Sequence, residues 1–70
     1  MDRIQVTSNS MASIGYDPKR HVLEIEFKNG GIYQYAFVSE KIYKRLMAAD
    51  AKGAYFNGTI RHVYPTTRIK

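Results

Sequence analysis

Two runs of alternating apolar and polar residues dominate the chain. Leu23, Ile25 and Phe27 alternate with Glu24 and Glu26, and Tyr33, Tyr35 and Phe37 alternate with Gln34 and Ala36. Period-two alternation gives a strand one apolar and one polar face. Asn29-Gly30-Gly31 between the runs accepts positive φ, so the stretch predicts a β-hairpin. Loop length decides which face the tyrosines take. A two-residue loop, Asn29-Gly30, sets Phe27 opposite Ile32 and turns Tyr33 and Tyr35 out beside the glutamates. A three-residue loop, a type I turn closed by a left-handed glycine, places the tyrosines with Leu23, Ile25 and Phe27, because a one-residue slip moves every side chain across the sheet. Burial of a large apolar side chain is worth about 1.5–3 kcal/mol, so the longer loop is expected, with the tyrosines inside.

Upstream, residues 1–10 read as a lead-in of extended backbone and turn, and Met11 to Tyr16 as a short strand. Asp17-Pro18-Lys19-Arg20 has type I turn chemistry and pairs Tyr16 with His21, Ile14 with Leu23 and Ala12 with Ile25. Ser13, Gly15, Val22, Glu24, Glu26, Ile32, Gln34 and Ala36 then form the outer face, with Glu24 and Glu26 solvated. Downstream, Ser39 is a helix N-cap and Glu40 sits in the first turn, where the dipole favours a negative charge. Ile42, Tyr43, Leu46, Met47 and Ala49 recur at helical spacing. Gly53 marks the helix end or a sharp bend. Phe56, Ile60 and Val63 or Tyr64 suggest a second helical segment, and Pro65 leaves 65–70 as a loose tail. The expected fold is α+β: a three-stranded antiparallel β-meander with one main C-terminal α-helix and a short second helical segment packed on one face. It forms a single domain over residues 1–70, with its core in 6–64.

Size sharpens this picture. A 70-residue chain buries only about 60% of its unfolded surface, and without cysteine it has no disulfide to help. Its six tyrosines and three phenylalanines must therefore carry much of the packing. No apolar run approaches the roughly 20 residues of a membrane span and no leader pattern opens the chain, so a cytoplasmic protein is expected. Charge is uneven. Residues 1–38 balance four cations against four anions, whereas residues 39–70 hold seven cations against two anions, so the entire net +5 lies in the second half. An anionic partner fits that asymmetry.

Candidate chemistry is sparse. His21 and His62 alone make no zinc site, and His21 is read as a sheet-end histidine near Tyr16. Glu24 and Glu26 stand about 7 Å apart along one strand face with nothing apolar to raise either pKa. Asn29-Gly30-Gly31 joins two strands and opens no helix, so it is not a phosphate loop. No catalytic residue, metal or cofactor is expected, and the protein is read as a non-enzymatic binding module. With Tyr33 and Tyr35 inside, no aromatic platform for bases remains on the sheet, and the anion-binding surface falls to the helical side. There Lys41, Lys44, Arg45 and Lys52 share one helix face, and Arg61 can join them.

Several of these residues also carry a resemblance. Val6-Thr7-Ser8, Ile14-Gly15-Tyr16-Asp17, the Tyr33-x-Tyr35 pair, Lys52-Gly53-x-Tyr55-Phe56-Asn57 and Ile60-Arg61 resemble the KTSC domain over roughly residues 6–64. That likeness marks Tyr33, Tyr35, Tyr16 and Phe56 as motif aromatics of the core. It implies a small bacterial domain that occurs alone and at the C-terminus of some lysyl-tRNA synthetases, for which RNA binding has been suggested. Ser39 stands where a proline is usual, and Ala51 where a serine is usual. The expected partner is tRNA-like or otherwise structured RNA. The alternative is a protein–protein module, homodimeric or with another partner, docking through Tyr55, Tyr64, Ile32 or Val22.

Overall fold

Three residues, Lys28 to Gly30, close the central hairpin of the computed structural model, which describes residues 1–70. In chain order the elements are β1 (Arg3–Gln5), β2 (Met11–Asp17), β3 (Val22–Phe27), β4 (Ile32–Tyr35), α1 (Glu40–Ala48), α2 (Lys52–Thr59) and β5 (Thr66–Arg68). The Phe27 N–H donates to the Gly31 carbonyl at 2.8 Å, the Gly30 N–H donates to the Phe27 carbonyl at 2.9 Å, and Gly30 adopts φ +95°. The odd loop sets Leu23 against Tyr35 and Ile25 against Tyr33. Both tyrosines therefore share the inner face with the aliphatic residues of β3, as the burial argument requires.

The first hairpin differs from expectation by two residues. Tyr16 pairs with Leu23 and Ile14 with Ile25. The Asp17 carboxylate accepts from the Lys19 and Arg20 N–H groups at 3.0 and 3.3 Å, and His21 closes the loop at φ 55°. The four loop residues are thus Pro18 to His21. A two-residue shift preserves the face of every side chain, so the inner set survives. A bulge at Ala12 then places Met11 opposite Phe27 and fully inside the core, in the place expected for Ala12.

The sheet has five antiparallel strands in the order β1-β2-β3-β4-β5, which corrects the expected three. Both additional strands are three residues long with every side chain exposed, so they leave no hydrophobic pattern. They exist because the edges of β2 and β4 offer unpaired backbone groups. Residues 65–70 are consequently not loose: Tyr35 pairs with Thr66 and Tyr33 with Arg68, and the Ile69 N–H donates to the Ile32 carbonyl at 2.7 Å.

Ser39 caps α1 as expected, its hydroxyl accepting from the Ile42 N–H at 3.3 Å. The break comes earlier than Gly53. Ala49 turns extended (ψ 135°), α2 starts at Lys52, and Gly53 lies inside it. Dimensions explain this. One helix over 40–59 would measure about 30 Å at 1.5 Å per residue, longer than the molecule's extents of 27 × 24 × 22 Å. Folding back brings Leu46, Phe56 and Ile60 together against Met11, Ile14, Leu23, Ile25, Tyr35 and Val38, completing the buried cluster. Phe37, expected inside, is 77% exposed. Its φ of 64° reverses the alternation and delivers Val38 to the core, where the Val38 N–H donates to the His21 carbonyl at 2.9 Å.

Candidate nucleic-acid interface and an aromatic cleft

The basic residues expected on one helix face divide into three groups. Lys41, Lys44 and Arg45 are exposed on α1 and, with Glu40 and Ala48, border a shallow groove of about 420 Å³. Lys44 Nζ lies 3.6 Å from Glu40 Oε2 with both side chains largely in water, a pair worth at most about 1 kcal/mol. Lys52 does not belong to this face. It opens α2, and its half-buried ammonium donates to the Ala49 carbonyl at 3.0 Å, satisfying an orphan acceptor at the end of α1. Arg61 lies beyond α2, its guanidinium donating to Asn57 Oδ1 at 3.4 Å. The continuous stripe is therefore a cluster of three.

The motif aromatics also separate. Tyr16 stacks on Tyr43, with ring centroids 4.8 Å apart at 9°, and donates from its hydroxyl to the Val38 carbonyl at 2.6 Å. Burial, with Glu40 and Asp17 nearby, holds that phenol above its ordinary pKa. The other three meet on the β4 side of the inner face. Phe56 packs edge-on against Tyr35 at 5.4 Å and Phe27 at 5.6 Å, and Phe27 against Tyr33 at 5.7 Å. The Arg68 guanidinium lies over the Tyr33 ring, 5.6 Å from its centroid. These rings line a cleft of about 400 Å³ whose lining also includes Asn57, Arg61, His62 and Thr66 and contains no carboxylate. Burial, helped by Tyr33 and opposed by Arg61, pushes the Tyr35 phenol up to about 12, so it stays protonated and able to donate at any ordinary pH. The sequence hid this cleft, because it exists only once β5 and α2 are brought beside β4. The Tyr33-x-Tyr35 pair was its one legible trace.

The outer face is not the solvated surface expected for the two glutamates. The Arg3 guanidinium crosses from β1 to bond Glu24 Oε2 and donates to Ser13 Oγ at 2.9 Å. Ser13 donates to Glu26 at 2.8 Å, and Gln34 donates to Glu24 Oε1 at 2.8 Å. Glu24 is only 7% exposed. Burial alone would push its carboxyl up, but the Gln34 and Arg3 hydrogen bonds, with the positive charge of Arg3 and the amino terminus, bring it below its ordinary value. A carboxylate so engaged is a structural anion. No group of three or more His, Cys, Asp or Glu side chains is placed to hold a metal ion, and no helix is long and apolar enough to cross a membrane. Tyr55, Tyr64, Ile32 and Val22, named for the alternative of protein docking, are half-buried. The exposed large apolar residues are Met1, Ile4, Phe37, Val63 and Ile69.

An antiparallel sheet backed on one face by two short helices makes this a small α+β domain. The chain belongs to the KTSC domain family, whose match spans residues 7–64. The crystal structure of a KTSC domain protein from Yersinia pestis superimposes with a TM-score of 0.96 at 39% identity, covering 99% of this chain and 97% of that one. An uncharacterized protein of Stutzerimonas stutzeri (strain A1501) is 40% identical over 57 residues, 81% of this chain and 80% of its own length. A protein of Tsukamurella paurometabola is 32% identical over 56 residues, 80% and 84% of the two chains.

Proposed function

We propose that this protein is a non-enzymatic, cytoplasmic RNA-binding module that contacts the phosphate backbone of structured RNA through α1. The observation that carries the reading is the group of three exposed cations, Lys41, Lys44 and Arg45, with only Glu40 among them, in the half of the chain that holds all of the net charge. Three such contacts give modest, largely sequence-blind binding, with a salt slope of about −2 at roughly −0.7 per phosphate on a single strand. The synthetase company of the resembling domain points the same way. The test is a gel-shift titration of a tRNA-sized RNA at low salt with the parent and with Lys41→Glu/Lys44→Glu/Arg45→Glu. Charge reversal is expected to weaken binding by at least tenfold. Equal affinity, or none in the parent, ends the proposal.

A further inference from the structure

The cleft between α2 and the β3–β4 hairpin combines three properties. Its floor is built from the rings of Phe27, Tyr33, Tyr35 and Phe56, its rim carries Arg61, and no acid lines it. Its volume, about 400 Å³, lies within the range of small-ligand pockets. The partly exposed rings of Phe27 and Tyr33 give a planar heterocycle an aromatic surface to lie against. The Asn57 amide N–H₂ offers a donor to a base edge while its Oδ1 accepts from Arg61, and an arginine beside an aromatic floor suits the phosphate attached to that base. A metal ion would meet cations here, and a purely apolar ligand would leave Arg61 and Asn57 unused.

We infer that this cleft receives one unpaired nucleotide of a bound RNA strand, with its base against the Phe27 and Tyr33 rings and its phosphate at Arg61. The inference rests on the RNA reading above and adds what α1 does not supply, a means of telling unpaired from paired RNA. The Tyr35 hydroxyl, held protonated by burial, provides a donor on the floor.

The blocking variant is Thr66→Trp. Thr66 is exposed on β5 and outside the core, and an aromatic suits a strand position, so the fold is retained while an indole fills the cleft mouth. Arg61→Gln removes the rim charge alone. Fluorescence anisotropy is measured with a single-stranded octa-adenylate RNA and with a fully paired RNA duplex of equal length, and amide shifts are recorded with adenosine 5′-monophosphate. Thr66→Trp is expected to weaken octa-adenylate binding about tenfold, the scale of one lost base stack, and duplex binding less than twofold. Arg61→Gln is expected to weaken the octamer alone by several-fold. Octamer binding unaffected by Thr66→Trp overturns the inference and leaves the α1 reading intact. If the parent binds neither RNA, both readings fall. If adenosine 5′-monophosphate shifts the cleft amides while octamer binding ignores the block, the ligand is a free nucleotide and the strand is overturned as its source.

Discussion

Gly15 shows what a single missing methyl group permits. A Cβ built there would meet the Asp2 carbonyl oxygen at 2.7 Å and Arg3 Cγ at 3.0 Å, so β1 lies across β2 only because this residue has no side chain. Gly15→Ala is expected to lower stability by about 1–3 kcal/mol, the usual range for forced overpacking, and to expose the Ile4 amide, which faces Ile14 on β2, to faster hydrogen exchange. An unchanged melting temperature would refute the steric account. At this scale the sequence was unevenly legible. The faces of Tyr33 and Tyr35 could be read because turn chemistry and burial agreed on an odd loop. Phe37 could not. A left-handed conformation costs an L-residue about 1–2 kcal/mol, and no local preference announces a phenylalanine that adopts it to bring Val38 inside.

Among the elements, α2 carries a visible defect. Its N-cap residue, Ala51, makes no side-chain hydrogen bond to the helix, and this is the position where the resembling pattern usually has serine. Ala51→Ser restores a cap and is expected to add about 0.5–2 kcal/mol in urea denaturation. An unchanged midpoint would place the usual serine's purpose outside α2 stability. The helix-to-helix break was illegible for a related reason. Ala48-Ala49-Asp50-Ala51-Lys52 has composition that favours continuing a helix, and the size of the domain overrides it. The same break removed Lys52 from the predicted basic face and made it the C-terminal partner of α1. β1 and β5 escaped notice because each is three residues long with no alternation of buried and exposed positions, and their backbone hydrogen bonds leave no trace in a hydropathy pattern. With β5 went Arg68 and the Thr66 border of the cleft.

For the molecule as a whole, the Arg3–Glu24–Gln34 network makes stability depend on pH. The folded Glu24 pKa is depressed, so its contribution is complete above the unfolded value, near 4.5. It fades as acidification carries the solution down through the lower folded value. At pH 7, Glu24→Gln is expected to be less stable than the parent by about 1.5–3 kcal/mol, the worth of hydrogen bonds to a charged group. That gap narrows as the pH falls through the unfolded value and below, and a gap that stayed constant through the acid range in chemical denaturation would remove the charge from the explanation. The α+β class, the inner face of the sheet and the cap of α1 were readable from local signals that agreed with one another. The outer network was not, because it needed a strand that the pattern did not reveal. The strand order has one further consequence, for the way the chain assembles. Each of β2, β3 and β4 settles beside the strand made just before it, so most of the sheet zips through short closures, which tend to be fast. Only the join between β4 and β5 must wait for residues 36–65, and the entropy of closing that long span makes it the last seam to seal and the first to breathe. Hydrogen-bonded pairs alternate along an antiparallel ladder, and from Ala36–Pro65 and Ile32–Ile69 the next such pair is Gln34–Thr67, so the rate at which the Thr67 amide trades deuterium reports how often the aromatic floor is uncovered.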